Sequence, residues 1–304
     1  METGIAMSLA TSTFDPRSWF ALYRYGGDFA GTAPKLRFYS GVTTKDPRLT
    51  AIASEEISVG VTCYILREHF NIEHITDVYA AIQAGELAYV DPNSTMRPDY
   101  LCQDSIGEVV IAESKGATGT RSDIINSMYP DGWNQVQNVR PIKQRLRSPC
   151  GRILIVTNFC IDGMHGRSET TTYIKDPDGE SSLEMDLESD TIVRQSYAKC
   201  LRFMGQDVLA DRLLMRQSFE SLWDDVSVSD EDIPVVILGM SPFQDLMGLY
   251  EPVAKAIFAG GSKSVMHKLK HALLDIKAAR EKIGQRGYIL SNGVAVIHNW
   301  DILL

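Results

Sequence analysis

Apolar and polar positions follow two different periods along this chain, and the switches between them outline its elements. The first fifty residues mix short apolar stretches with Gly, Pro and Thr, as in RYGGDFAGTAPKLRFYSG, and read as short strands and loops. In SEEISVGVTCYILREHF the spacing becomes helical. Ser54 is placed as an N-cap, Glu55 and Glu56 favour the positive helix end, and Ile57, Val61, Tyr64 and Ile65 form one core-facing stripe. ELAYVD is expected as a first strand and RPDYLC as a second. QDSIG, with the chemistry of a tight reversal, joins the second to EVVIAESK as a hairpin. TRSDIINSMYPDGW follows as loop and short helix, WNQVQNVRPIKQRLRS as a helical stretch interrupted at Pro141, and RILIVTNFCI as a β-branched strand. The expected order is helix, three strands, helix, strand.

DPDGESSLEMDLESD, near residues 176 to 190, is an acidic stretch with Gly and Ser that predicts a boundary or long surface loop. Beyond it, segments 191–223, 242–259 and 262–284 show helical spacing, VVILGMSPF is a further strand candidate, and RGYILSNGVAVIHNW predicts a terminal hairpin around Ser-Asn-Gly. The expected class is α/β: a mixed central sheet flanked by helices within residues 1–175, its core at about 50–162, followed by a mainly helical region at 191–304.

Composition narrows the setting. With 44% hydrophobic and 23% charged residues over 304 positions, the chain can bury a core of this size. No run of eighteen apolar residues occurs, and METGIAMSLATSTF lacks the basic and apolar regions of a signal peptide, so a cytoplasmic chain with no membrane partner is expected. Cysteines 63, 102, 150, 160 and 200 show no ligand spacing, and their odd number argues against a closed disulfide framework. There is no HExxH; His267 and His271, in a Lys-rich helix, read as a surface pair. There is no P-loop, so a motor activity would have to reside in another polypeptide.

The formal net charge of −9 opposes a polyanionic partner at long range, yet the charge is unevenly spread. From Gly132 to Ile161 there is no acidic residue, while Arg140, Lys143, Arg145, Arg147 and Arg152 fall there. Acid is gathered around residues 176–190 and in DDVSVSDED. The basic window is either a phosphate-contacting face or a solvated helix face. Tyr129 and Trp133 either stack on unpaired bases or anchor the core. Asp162, His165 and Arg167, just past the last core strand, could border a site there. Lys263, Lys268, Lys270, Lys277, Arg280, Lys282 and Arg286 make a second basic cluster.

The candidate chemistry lies in RPDYLCQDSIGEVVIAESKG. Alternate residues of a strand share a face, so Glu113 and Lys115 project together, and the hairpin brings Asp99 in from the neighbouring strand. Two carboxylates can hold a hard cation that polarises a phosphoryl oxygen and acidifies a bound water. An ammonium beside them can orient that water. Gly116 would leave room for a phosphate, or simply make a turn. The alternative reading of the trio is a cross-strand salt bridge at a sheet edge.

Pro98-Asp99 followed by Glu113-x-Lys115 resembles the PD-(D/E)xK motif of the restriction-endonuclease-like superfamily, over roughly residues 50 to 162. The core of that superfamily runs helix, three strands, helix, strand. The resemblance implies a nuclease dependent on Mg²⁺ or Mn²⁺ that hydrolyses phosphodiester bonds, with DNA as the favoured nucleic acid. It implies Asp99 and Glu113 as metal ligands and Lys115 as the water-orienting cation. In many members a glutamate on the first helix completes the metal shell and a glutamine on the second lies near the active site, which carries over to Glu56 as a metal ligand and Gln137 as an active-site residue, with Glu55 and Gln135 as neighbouring alternatives. Anti-phage defence or restriction, a partner ATPase or sensor subunit, and a homo-oligomer are further expectations by analogy. The competing class is a non-catalytic nucleic-acid-binding or assembly subunit that retains the fold.

Overall fold

The computed structural model describes residues 37–38, 40, 46–104, 107–141, 149–161, 169–175, 183–184, 190–217, 234–240, 245–258, 265–283, 287–289 and 293–297. They fall into two compact units, the described residues up to 184 in the first and those from 190 onward in the second.

The first unit opens with α1, Pro47–Phe70. Its start is fixed by Asp46, whose carboxylate accepts from the Arg48 N–H at 2.8 Å, and by Pro47, whose locked φ suits the first helical position. Arg67 and His69 lie at the negative end, and Asn71 closes the helix at φ 52°. The helix thus begins about two turns before the expected cap. Ser54 is interior, its hydroxyl donating to the Ala51 carbonyl at 2.8 Å.

The buried face of α1 also departs from the predicted stripe. Ile57 and Ile65 are buried as expected, whereas Tyr64 is 56% exposed. Small residues decide the rotation. Ser54, Ser58 and Thr62 recur every fourth position and face the sheet, so the helix backbone can approach it directly. α1 is the one helix among the described residues long and apolar enough to cross a membrane, and more than half of its most apolar window is buried within the fold, as in a core helix.

After α1 come β1 (Ile72–Asp77), α2 (Val78–Gln83), β2 (Leu87–Tyr89), β3 (Tyr100–Asp104) and β4 (Val109–Ala117). The chain then crosses over through Arg121–Asp123, a π-helical turn at Ile124–Met128 and α3 (Tyr129–Gln137) to β5 (Val139–Pro141), β6 (Pro149–Asn158), β7 (Thr171–Lys175) and β8 (Leu183–Glu184). The main sheet is ordered β1-β3-β4-β6-β7, with β8 also on β6. Its pairs are antiparallel except β4 and β6, which run parallel and therefore need the helical crossover between them. The unit is thus a mixed sheet flanked by helices.

Two strand expectations change. The first strand of the main sheet is Ile72–Asp77, and the ELAYVD strand is instead β2, paired with β5 in a separate two-stranded sheet. β1 lacks clean alternation because His74 is buried along with Ile72 and Ile75, and a register irregularity falls between Ile72 and His74. The β3–β4 hairpin is as expected. Gln103 pairs Val109, Glu108 N–H donates to Asp104 Oδ1 at 2.7 Å, and Gly107 takes φ 96°, a backbone conformation that L side chains rarely adopt. TRSDIINSMYPDGW, expected as loop and short helix, is helical from Arg121 onward, its start fixed by the reciprocal Thr120–Asp123 capping box.

The second unit combines α4 (Thr191–Phe203), α5 (Asp207–Leu214), α6 (Glu251–Phe258), α7 (Val265–Leu274) and α8 (Ile276–Ile283) with a four-stranded antiparallel sheet. That sheet is ordered β11-β12-β10-β9 from β9 (Val235–Met240), β10 (Leu246–Tyr250), β11 (Gly287–Ile289) and β12 (Val294–Ile297). The β9 strand and the β11–β12 hairpin match expectation. The predicted helix at 242–259 is a strand in its first half, because β10 is paired on both sides, by β9 and β12. Gly248 permits this, since a Cβ there would lie 2.0 Å from the Val236 carbonyl oxygen.

Candidate active site

The two faces of β4 have separate duties. Ser114 turns to α1, where its hydroxyl meets Thr62 Oγ1 at 2.8 Å and Ser58 Oγ at 3.1 Å. Gly116 faces the same way: a Cβ there would sit 1.9 Å from the Ser54 carbonyl oxygen. The glycine is required for helix-to-sheet contact, so its reading as room for a phosphate is corrected. Glu113 and Lys115 take the opposite face, the side covered by the crossover helix, since Gly132 of α3 stands against Leu154, the register partner of Glu113.

Asp99 immediately precedes β3, and because Tyr100 pairs Ala112 it stands across from Glu113. Its backbone N–H donates to Glu113 Oε2 at 2.9 Å, and its own Oδ2 accepts from the Ser114 N–H at 3.1 Å. Its carbonyl accepts from Val78 N–H at 3.0 Å, which ties this corner to the end of β1. Lys115 Nζ lies 2.7 Å from Glu113 Oε1. The three residues singled out by spacing are therefore one hydrogen-bonded cluster, with Glu113 fully buried and the Lys115 side chain a quarter exposed.

The electrostatics follow from burial. Desolvation, then the Asp99 charge, pushes the Glu113 carboxyl up to about 8, against the pull of Lys115 and of the Asp99 N–H. Desolvation also raises Asp99, opposed by the Ser114 N–H and Lys115 and assisted by Asp77. Asp77, the last residue of β1, is a neighbouring carboxylate that no local motif signalled; it arrives by long-range pairing with Tyr100. Two buried carboxylates, of which Asp99 raises Glu113, stand beside a single ammonium and are undercompensated for charge, and their hard oxygens suit a divalent cation that keeps several waters. Among the described residues no group of three or more His, Cys, Asp or Glu could hold a metal.

The secondary expectations fare differently. Glu56 is half-buried and Glu55 exposed, but both belong to α1, which lies over the sheet face opposite Glu113 and Lys115. Gln137 is exposed at the end of α3. The crossover helix runs back along β4, and Gly132 already stands level with Glu113, so both Gln135 and Gln137 lie beyond it toward the strand's start. Gln135 is half-buried, with an amide oxygen that is buried and has no hydrogen-bond partner.

Of the basic window, Arg140 is exposed on β5 and Arg152 is buried in β6, while Lys143, Arg145 and Arg147 lie outside the described residues, as do Asp162, His165 and Arg167. Tyr129 and Trp133 share Lys175, whose Nζ stands 5.6 and 4.1 Å from their ring centroids. Cys63, Cys102, Cys160 and Cys200 are buried.

No family model, curated protein or solved structure matches the chain.

Proposed function

We propose that the first unit is a metal-dependent nuclease of the restriction-endonuclease-like kind, hydrolysing phosphodiester bonds with DNA as the favoured substrate. The observation that carries this reading is the hydrogen-bonded cluster of Asp99, Glu113 and Lys115 at one end of the β3–β4 hairpin. The order α1, β1, β3, β4, crossover helix, β6, with β4 and β6 parallel, supports it further.

In this reading Asp99 and Glu113 hold Mg²⁺ or Mn²⁺, which supplies Lewis-acid polarisation and a more acidic water. The Ser114 N–H aims the Asp99 carboxylate, and the Asp99 N–H aims that of Glu113, so the two are fixed by backbone rather than by mobile side chains. Lys115, close to Glu113 yet partly exposed, is placed to orient the attacking water and to offset negative charge on the phosphoryl oxygens.

A second reading, a non-catalytic nucleic-acid-binding or assembly subunit, is favoured by one observation: the trio already satisfies itself through its ion pair and backbone donors. Cleavage separates the two. Linear, circular and single-stranded DNA, and RNA, are incubated with the wild type, Glu113→Ala and Lys115→Ala in Mg²⁺, Mn²⁺ or EDTA, with circular dichroism confirming the fold. The nuclease reading requires metal-dependent products from the wild type and at least a hundredfold loss in both variants. Cleavage that persists in both variants, or in EDTA, removes these residues from the reaction.

A further inference from the structure

Asn158 ends β6, where it pairs with Ala117 of β4, and its neighbour Phe159 continues the contact by donating its N–H to the Ala117 carbonyl at 2.7 Å. The parallel register Glu113–Leu154, Lys115–Val156, Ala117–Asn158 puts residues 113, 115 and 117 on one face with 154, 156 and 158. The Asn158 side chain therefore shares the face of Glu113 and Lys115, one strand over and one row beyond the lysine. It is 1% exposed, and both Oδ1 and Nδ2 are buried without a hydrogen-bond partner. A carboxamide has two donors and two acceptor lone pairs, and leaving them unmet in the interior forfeits their solvation with nothing in return. A side chain so placed is an expense to the fold that a role in the site would explain.

Lys115 supplies the complementary need. Its ammonium rests on Glu113 Oε1 at 2.7 Å, the very carboxylate the proposed function assigns to a cation. When Glu113 is given over to that cation, Lys115 is repelled from it and must find another acceptor. From strand geometry, two residues along and one strand across separates the Cβ atoms of Lys115 and Asn158 by about 8 Å. The combined reach of a lysine and an asparagine side chain spans that distance.

We propose that Asn158 is a positioning residue of this site, its carboxamide oxygen accepting the Lys115 ammonium when Glu113 and Asp99 hold a divalent cation. The inference rests on the metal-binding reading of the trio. Asn158 acts through Lys115 and contacts neither the cation nor the substrate.

The full chain is tested as wild type, Asn158→Leu, Asn158→Asp, Lys115→Met and the Asn158→Leu/Lys115→Met double variant. Thermal unfolding is recorded in EDTA and across a Mn²⁺ titration. In EDTA, Asn158→Leu melts at or a few degrees above the wild-type temperature, because an apolar isostere relieves unmet polar atoms. In the titration the Mn²⁺ midpoint of Asn158→Leu weakens about tenfold, in line with other outer-shell losses. Asn158→Asp, which keeps an acceptor oxygen, restores it. In the Lys115→Met background, Asn158→Leu changes the midpoint no further, because the group it serves is gone.

A melting temperature that falls sharply for Asn158→Leu in EDTA overturns the proposal, since it assigns the residue to the fold. So does an unchanged Mn²⁺ midpoint, or an equal loss in the Lys115→Met background, while the wild type still responds to Mn²⁺. A wild type that shows no Mn²⁺ response overturns the metal reading of Asp99 and Glu113, and this inference with it.

Discussion

Glu113→Gln isolates the electrostatic cost of the buried carboxylate. Glu113 is fully buried, and its carboxyl is raised from 4.5 to about 8. An acid with a higher pKa in the folded chain than in the unfolded one takes up a proton on folding. Its contribution is therefore fully present below pH 4.5 and is lost as pH rises through 8. A shift of that size corresponds to roughly 5 kcal/mol at pH 9. Glutamine keeps a carbonyl to accept the Asp99 N–H but turns an amide toward Lys115, a pH-independent loss on the order of 1–2 kcal/mol. The variant should be slightly less stable than wild type at pH 4.5 and more stable by about 3 kcal/mol at pH 9. Urea unfolding in EDTA at pH 4.5, 6, 7.5 and 9 reads the swing directly. The melting temperatures should cross, since about 1 kcal/mol moves a unit of this size by 2–4 °C. A stability difference that stays flat over that range would refute the assignment of Glu113 as a carboxylate held in a strained ionisation state.

Two further substitutions test the framework that positions the site. Gly116→Ala puts a methyl group 1.9 Å from the Ser54 carbonyl, with backbone on both sides, and should cost about 3 kcal/mol or more in urea unfolding. A cost under about 1 kcal/mol would mean that α1 is not seated on β4. Asn138→Ala removes the side chain that accepts the Asp91 N–H at 2.9 Å and donates to the Met96 carbonyl, holding the segment before Asp99. It should lose about 1–3 kcal/mol, with faster amide exchange at Asp91; unchanged protection there would dismiss the tie.

The legible parts of this protein were those fixed by local chemistry. Asp104 and Gly107 carry a reversal in their own side-chain and backbone preferences, so the β3–β4 hairpin could be placed from nine or ten residues of text. Once β4 is a strand, its period puts Glu113 and Lys115 on one face, and the hairpin puts Asp99 opposite them with no other information. The apolar, β-branched character of β6 needed no context either. β1 was missed because burial of His74 erases alternation, and the full extent of the helix from Arg121 because its cap and π turn are hidden in a polar, proline-bearing stretch. The choice between Gln135 and Gln137 could not be made locally, because it turns on where the helix stands along β4.

By itself, then, the sequence determined the β3–β4 hairpin, the β6 strand and the convergence of three charged residues, because each depends on residues within about one supersecondary unit. Only the tertiary structure decided what surrounds them. The rotation of α1 follows from Gly116 and a Ser/Thr stripe meeting across the sheet, and the arrival of Asp77 from pairing of β1 with β3. The ionisation of Glu113 depends on how completely water is excluded, and the unmet carboxamide of Asn158 on the register of β6 beside β4. Dielectric, burial and register are properties of assembled neighbours. No window of sequence carries them, because the groups that set them are brought together only by folding.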